Sequence, residues 1–202
     1  MSEPAHILDH DRNDWPAPGE WTYQDYLRIP RRGDGRRFEV IRGVLYVTAT
    51  PTFPHQYAVG EIFSFLREFG RRHQLGLALV APFNIRLPER IGDPMAPDVM
   101  FFRKGNEPRD DGSDFQGVPD LVVEVLSPST RRRDQTVKLE AYRDAGVAEY
   151  WIADPRARTV AVYGLSEDRT GYVELGRYEK EGEVVSALLP GLRVPVNEIF
   201  WG

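Results

Sequence analysis

Apolar residues in the first half of the chain follow two periodicities, and each predicts a different kind of element. Five of them, from Val59 to Phe69, fall at offsets of 0, 3, 4, 7 and 10, which predicts one amphipathic helix. Residues 37–48 form a β-prone run divided by Arg42-Gly43, and this pattern predicts two strands joined by a turn. A short helix is expected over residues 21–27.

After residue 76 the chain consists of short β-prone runs, interrupted by one helical segment. Ser129 or Thr130 is a suitable N-cap for a helix that runs to about residue 145, and Gly146 would end it. The last two apolar runs look like a pair. The predicted strands cover residues 77–87, 96–102, 121–126, 149–153, 159–163, 172–178 and 184–189.

These elements predict one domain of the α/β (α+β) class, in which a mixed sheet is accompanied by at least two helices. A chain of 202 residues suits a single well-filled core, and no internal repeat or linker divides it. We therefore expect one domain over residues 21–202. Residues 1–20 are rich in Pro, Asp and His without periodicity, and are expected to form a loose arm.

Composition narrows the class of protein. Apolar residues make up 41% and charged residues 28%, which is ordinary globular usage. The absence of cysteine excludes disulfide scaffolds, cysteine nucleophiles and thiolate metal sites, and it favours a reducing compartment. Since no signal peptide or membrane-length apolar run is evident, a cytoplasmic protein with no membrane partner is expected.

Basic residues are clustered although the net charge is −5. Such clusters can contact phosphates even on an acidic protein, because the electrostatic potential near the cluster, rather than the net charge, determines phosphate binding. The competing interpretation is ordinary solvated charge on loops and helix ends. The clusters are Arg31, Arg32, Arg36 and Arg37; Arg71, Arg72 and His73; and Arg131, Arg132 and Arg133.

A glutamate interrupts the apolar run over residues 120–126. Strand alternation places Glu124 on the same face as Val122 and Leu126. Burying a carboxylate costs several kcal/mol unless a metal ion, a cation or good hydrogen bonds compensate. Glu124 therefore requires a partner.

Two Pro-Asp dipeptides offer an aspartate to accompany Glu124. Asp120 lies four positions away on the same strand, roughly 13 Å at about 3.3 Å per residue, which is too far for one shared ion. Asp98 begins another strand, and adjacent strands lie about 4.8 Å apart. Asp98 is therefore the predicted partner, and Asp120 is expected to cap or solvate the start of the strand.

The same residues carry a family resemblance that extends over nearly the whole chain. The sequence closely resembles the Uma-two family of restriction-endonuclease-like proteins, within the PD-(D/E)xK nuclease superfamily. Its most specific part is residues 119–155. The matching motifs are Ala96-Pro-Asp-Val-Met-Phe101, Pro119-Asp-Leu-Val-Val-Glu-Val-Leu-Ser-Pro-Ser-Thr130, Asp134, Lys138, Tyr142 and Gly146-Val-Ala-Glu-Tyr-Trp-Ile-Ala-Asp-Pro155.

The resemblance implies a restriction-endonuclease-like fold, with a mixed central sheet flanked by helices, and phosphodiester hydrolysis dependent on Mg²⁺, for which Mn²⁺ would substitute. It implies that Asp98, Glu124 and the Val125 carbonyl hold the ion. Leu126 occupies the position where the superfamily pattern has lysine, and the resemblance suggests that Lys138 supplies the displaced amine. The alternative is that Lys138 only pairs with Asp134, its i,i+4 neighbour.

Other residues complete the expected site. Glu39 matches a family position that often joins the catalytic group, although surface charge is the alternative. His55 precedes the amphipathic helix and is a candidate substrate contact, with a structural role as the alternative. The run Arg131, Arg132 and Arg133 is expected to clamp phosphates beside the scissile bond.

The sequence thus predicts a metal-dependent endonuclease, with DNA the first choice of substrate, RNA left open and a homodimer as the candidate assembly. A second hypothesis is a nuclease-fold module that binds nucleic acid or a protein partner without cutting, which the missing strand lysine supports. A third, a glycosidase with two carboxylates, is weak because no aromatic sugar platform accompanies the pair.

Overall fold

The computed structural model describes residues 15–30, 36–108 and 114–202. The first fourteen residues of the expected arm, and Arg31 and Arg32 of the first basic cluster, lie outside this part. The strands are β1 (Arg37–Ile41), β2 (Val44–Thr48), β3 (Gly76–Val80), β4 (Ile85–Arg86), β5 (Val99–Arg103), β6 (Phe115–Gln116), β7 (Leu121–Val125), β8 (Glu149–Asp154), β9 (Thr159–Leu165), β10 (Tyr172–Glu179), β11 (Glu183–Val185) and β12 (Arg193–Pro195).

Helices pack around these strands, and the longest of them carries the predicted apolar stripe. In the second half, a π-helical turn over Asp134–Lys138 separates two α-helical pieces, so the helix expected up to residue 145 is not uniformly α-helical. Gly146, with φ of +87°, ends it as predicted. The α-helices are α1 (Tyr23–Leu27), α2 (Phe53–Arg72), α3 (Arg131–Arg133), α4 (Leu139–Ala145) and α5 (Val196–Ile199).

A six-stranded mixed sheet forms the centre of the domain, in the order β10-β9-β8-β7-β5-β3. Only the central pair, β7 and β8, is parallel, and the other neighbours are antiparallel. The helical segment over residues 131–145 is the connection between the two parallel strands, as such a crossover requires. The predicted mixed sheet is confirmed.

Strand β7 separates two hydrophobic clusters, one on each face of the sheet. Leu121, Val123 and Val125 belong to the cluster beneath α2, whereas Val122 and Leu126 belong to the cluster beneath α4. This is the predicted alternation, and it places the Glu124 side chain on the α4 side.

The β1–β2 hairpin turns at Arg42 and Gly43, which have φ of +50° and +72°. A Cβ atom at position 43 would lie 2.2 Å from the Gly19 carbonyl oxygen, so only glycine allows this approach. The amides of Gly19 and Trp21 both donate to the Gly43 carbonyl, and Trp15 stacks on Trp21. Residues 15–20, expected in the arm, therefore pack on the hairpin.

The expected final strand pair is wrong. Strand β10 is the edge of the central sheet and pairs with β9, while β11 pairs with β12 in a separate two-stranded sheet. Both runs are strands at least in part, but their partners lie elsewhere. Within the described ranges, no helix is both long and apolar enough to cross a membrane.

Candidate active site

The antiparallel pairing of β5 with β7 brings the two predicted carboxylates together. Val99 pairs with Val123, so Asp98, one residue earlier, stands opposite Glu124, one residue later. Both side chains are buried and both line one cavity of about 240 Å³. The cavity reaches solvent at Thr50, Thr52 and Ser129, which line it and are exposed.

Three donors hold the Asp98 carboxylate in place. Its Oδ2 accepts a 3.0 Å hydrogen bond from the Val125 amide and lies 3.2 Å from Nε2 of His55. Its Oδ1 accepts from the Arg37 guanidinium at 3.5 Å. Val125 thus contacts the site through its amide, and the role expected for its carbonyl stays a prediction.

Lys138 lies between two glutamates. Its ammonium Nζ is 2.8 Å from Oε1 of Glu124 and 3.0 Å from Oε1 of Glu39, and its side chain is only 3% exposed. The Tyr142 hydroxyl donates to the same Glu124 oxygen at 2.7 Å. The structure therefore places the displaced lysine at the carboxylates, pointing inward.

Glu39 is buried as well, and it joins the hairpin to the site. Its Oε1 accepts from the Ala96 amide at 3.0 Å, and its Oε2 lies 3.3 Å from Nη2 of Arg133. The same Arg133 nitrogen donates to the Thr48 hydroxyl at 2.9 Å. Strands β1 and β2 therefore form one wall of the cavity.

The π-helical turn supplies the opposite wall. Asp134 and Lys138, its first and last residues, are both buried and both line the cavity. Oδ1 of Asp134 is a buried atom without a hydrogen-bond partner among the described residues. A single π-helical turn inside an α-helix occurs frequently at functional sites.

Four carboxylates share the site with Lys138, Arg133 and Arg37. Burial raises the pKa of Glu124 to about 8; Lys138 opposes this rise, and the carboxylates of Asp98, Asp134 and Glu39 add to it. Burial also raises the pKa of Asp134 above its usual value. Glu124 therefore binds its proton more tightly than an ordinary glutamate, and a cation beside it would favour the ionised carboxylate.

The remaining charged groups in the site are held ionised. Burial opposes ionisation of Asp98, but the hydrogen bond and charge of His55, with Lys138 and Arg37, keep its pKa below the usual value. Burial likewise opposes the charge on Lys138, but Glu124, Glu39 and Asp134 raise its pKa.

The donor set fits a hard divalent cation. Carboxylate oxygens are the ligands that Mg²⁺ and Mn²⁺ prefer, and Asp98 and Glu124 provide them on adjoining strands. Among the described residues, Oδ1 of Asp134 has no hydrogen bond and only a 3.8 Å contact to Nε of Arg133, and the pKa of Glu124 is raised, so both carboxyl groups could accept a further cation. Within the described part of the chain, no group of three or more His, Asp or Glu side chains is already arranged as a metal site.

The predicted nucleic-acid contacts separate into three environments. Arg133 is largely covered by the cavity wall, with its side chain 9% exposed, so it does not form a surface clamp together with its neighbours. Arg131 pairs with Asp154 at 2.8 Å, and Arg132 is exposed. His55 is buried against Asp98 rather than presented to solvent.

Asp120 lies at the other end of β7. It accepts hydrogen bonds from the Arg103 amide at 2.8 Å and from the Asn106 side chain at 2.9 Å. It thus caps the start of the strand, as expected for the second Pro-Asp dipeptide. The basic cluster that begins at Arg71 ends α2, roughly 25 Å along the helix from His55.

Sequence reasoning missed three members of the site. Arg37 was read only as part of a basic cluster, and Asp134 and Tyr142 only as motif residues. The signal was present in their spacing, because Asp134, Lys138 and Tyr142 recur every four residues. Such a stripe places polar groups on one helix face that covers the sheet.

Comparisons with known proteins agree with this architecture. The model of the Uma-two (Uma2) family, described as "Putative restriction endonuclease", matches residues 23–197. A solved structure described as a putative nuclease belonging to DUF820, from Anabaena variabilis ATCC 29413, superposes with a TM-score of 0.72 at 19% identity. The alignment covers 89% of this chain and 97% of that one, and shows a shared fold. No curated protein matches the chain.

Proposed function

Since this chain belongs to the Uma2 family of putative restriction endonucleases, we propose that it is a metal-dependent endonuclease that hydrolyses phosphodiester bonds in nucleic acid, with DNA the first substrate to test. One observation carries the proposal. Asp98 and Glu124 stand opposite each other at one cavity, and a lysine ammonium lies 2.8 Å from the glutamate.

Asp98, Glu124 and the Val125 carbonyl are the proposed ligands of Mg²⁺, with Mn²⁺ as a substitute. When bound, such an ion supplies positive charge to the phosphate and lowers the pKa of a coordinated water. The chain itself orients the ligands: the Val125 amide, His55 and Arg37 fix the Asp98 carboxylate.

Lys138 is the proposed electrostatic group of the reaction. Its ammonium can donate to an attacking water or to a phosphate oxygen on which charge accumulates. Glu39 is a positioning residue in this scheme, because its 3.0 Å contact holds the Lys138 ammonium at the cavity. Arg133, buried beside it, adds a second positive charge to the same wall.

The test compares Asp98 with Asp120, the aspartates of the two Pro-Asp dipeptides. The purified protein is incubated with single- and double-stranded DNA and RNA, with Mg²⁺, Mn²⁺ or no metal. Asp98→Asn and Glu124→Gln should reduce metal-dependent cleavage at least about 100-fold, since each removes a charged ligand. Asp120→Asn is the matched control and should cut as the parent does, because Asp120 lies at the far end of β7.

Binding separates loss of catalysis from loss of folding. Without metal, the Asp98 and Glu124 variants should bind nucleic acid at least as well as the parent, since removing a carboxylate relieves repulsion with phosphate. If Asp98→Asn cuts at the parental rate, the assignment of cleavage to this site is wrong.

A second function, binding without cleavage, is favoured by the position of Lys138. The ammonium contacts both Glu124 and Glu39, so it neutralises charge that a metal would otherwise neutralise. Titration with Mn²⁺, followed by electron paramagnetic resonance, separates the two functions. Mn²⁺ binding that requires Asp98, without cleavage of any of the four nucleic acids, would favour the binding module.

A further inference from the structure

Three aromatic side chains form an exposed cluster outside the hydrophobic core. Phe53 is 61% exposed and Trp201 66%, and Tyr57 lies against both. The Phe53 and Trp201 rings meet edge to face, with centroids 5.7 Å apart. We call Phe53, Tyr57 and Trp201 the aromatic cluster.

The aromatic cluster borders the candidate active site. Phe53 directly follows Thr52, an exposed residue that lines the cavity. The same first turn of α2 carries His55, whose imidazole contacts Asp98. One helical turn thus has an aromatic ring at the rim of the cavity and a contact to the proposed metal ligand inside it.

The β8–β9 turn brings one arginine to the chain beside the cluster. Arg158, exposed in that turn, donates to the carbonyl of Phe200, the residue before Trp201, at 3.5 Å. Arg156 is exposed in the same turn. Arg131 follows the cavity residue Thr130 and pairs with Asp154, where the turn begins. The turn that carries Arg156 and Arg158 thus contacts Phe200 at one end, and at Asp154 it contacts the arginine that follows the cavity residue Thr130.

Two acidic groups lie beside Tyr57 of the cluster. Glu61 and Glu198 face the Tyr57 hydroxyl, and burial together with these carboxylates raises the pKa of Tyr57 above its usual value. A polyanion crossing this surface would meet repulsion there and attraction on the arginine side. Its phosphates would therefore follow the arginines, leaving its bases to face Phe53 and Trp201.

We propose that Phe53 and Trp201 form a stacking platform for an unpaired base beside the scissile phosphate, so that the enzyme acts on nucleic acid with single-stranded or unpaired nucleotides at the cut site. This inference rests on the proposed nuclease function and specifies its substrate. Aromatic rings interleaved with basic residues are how proteins bind single strands without reading sequence, because every base has a face that can stack.

The size of the cluster argues against a protein partner. A fully buried aromatic side chain contributes about 150–250 Å². With the exposures of Phe53 and Trp201, the two rings offer roughly 300 Å² in total. A stable protein interface needs about 800 Å² on each partner. Two bases would cover the rings, whereas a protein would need much additional surface.

The experiment measures binding in Ca²⁺, where cleavage does not interfere. The probes are a single-stranded DNA oligonucleotide, the same strand with abasic sites, and a blunt duplex of equal length. Trp201→Ala and Phe53→Ala should each weaken binding to the intact single strand by about 5- to 100-fold, because a stacked base is lost. Trp201→Phe should retain most of the affinity. The abasic strand and the duplex should bind parent and variants alike.

Leu175→Ala is the matched control, because Leu175 is also an exposed apolar side chain, on β10, and lies away from the cavity. It should leave every affinity unchanged. Equal losses on the intact and abasic strands would overturn the stacking proposal, and so would parental binding by Trp201→Ala. Light scattering that shows a dimer lost in Trp201→Ala would instead assign the cluster to self-association.

The two proposals fail in different ways. If the parent cleaves nucleic acid and the cleavage requires Asp98, but Trp201→Ala binds single strands normally, only the platform is overturned. A parent protein that binds none of the three probes, and cleaves none of the four nucleic acids, overturns the platform and the nuclease function together.

Discussion

Two glutamates are buried in neighbouring strands of the central sheet, and their surroundings differ. Glu149, at the start of β8, is 1% exposed; Glu124, near the end of β7, is 2% exposed. Glu149 accepts from the Trp151 indole at 2.7 Å through one oxygen, and from the Ala187 and Leu188 amides at 2.8 Å through the other. Glu124 instead faces a lysine, a tyrosine and three other carboxylates.

The difference teaches how to interpret a buried carboxylate. Glu149 accepts hydrogen bonds from three neutral donors, one indole and two backbone amides. The two amides connect β8 to the segment after β11. Glu124 shares one ammonium with Glu39, so its charge depends on pH and on any cation that enters. Both glutamates are buried, but only Glu124 is surrounded by other ionisable groups, and this is the feature that indicates function.

Removing the structural glutamate should have the largest effect. Glu149→Ala leaves an indole N–H and two amides without an acceptor, and each unsatisfied buried donor costs about 1–3 kcal/mol. We expect the free energy of unfolding to fall by about 3 kcal/mol or more in urea denaturation. The fraction that remains folded should still bind Mn²⁺.

Glu183→Ala is the control for that substitution. Glu183 forms an exposed pair with Arg193 at 3.3 Å, and exposed pairs contribute about 0–1 kcal/mol. If Glu149→Ala destabilises the protein no more than Glu183→Ala does, the three hydrogen bonds are not what makes Glu149 structural.

A smaller effect is expected at Lys138, and its size should depend on whether Glu124 is present. Lys138→Met leaves Glu39 and Glu124 without their shared ammonium, which should cost about 2–4 kcal/mol. At pH 9, where the Glu124 carboxyl is ionised, adding Glu124→Gln should restore about 1–2 kcal/mol, because contacting residues couple and the amide carries no charge. A double-mutant cycle measured by urea denaturation checks this; strictly additive losses would show that the two residues do not share a charge balance.

The last expected effect is gradual, and it is a pH dependence contributed by Glu124. The pKa of Glu124 in the folded protein is about 8, above its ordinary value of 4.5, so the folded state holds this proton more tightly than the unfolded chain. The stability contributed is greatest at low pH and is lost as the pH rises from about 4.5 to 8.

The parent should therefore lose up to about 1.4 kcal/mol per pH unit between pH 6 and 8 from this group, and Glu124→Gln should lack that part of the slope. Urea denaturation of both proteins across this range measures the difference. Parallel stability curves would show that Glu124 is already ionised at pH 6.

The pairing of the two catalytic candidates could be predicted because it depends on local pattern and simple lengths. A glutamate in a Val-rich strand required a partner, and Asp120 was too distant along the same strand. The alternative, that the strand beginning at Asp98 pairs with this one, is confirmed by the register of β5 and β7. The Arg42-Gly43 turn and the end of the helix at Gly146 were predictable for the same reason.

Contacts between distant segments could not be predicted in this way. Arg133 stands in a run of three arginines that looks solvated, yet it is buried because Glu39, far earlier in the chain, pairs with it. Strand alternation likewise identified β10 and β11 without identifying their partners, because period two specifies a face and not a neighbour. The partner of β11 is a three-residue strand ending in Pro195, too short to be recognised.

The π-helical turn also has a consequence for the phase of the helix that covers the site. In an uninterrupted α-helix, side chains four residues apart drift by about 40°, so Asp134 and Tyr142 would diverge by about 80°. The wider turn over Asp134–Lys138 takes up part of that drift and lets all three polar groups of the stripe face the sheet. A change of one residue in helix length at this turn would redirect Asp134 relative to Tyr142, so the spacing between them is a constraint that no single side chain reveals.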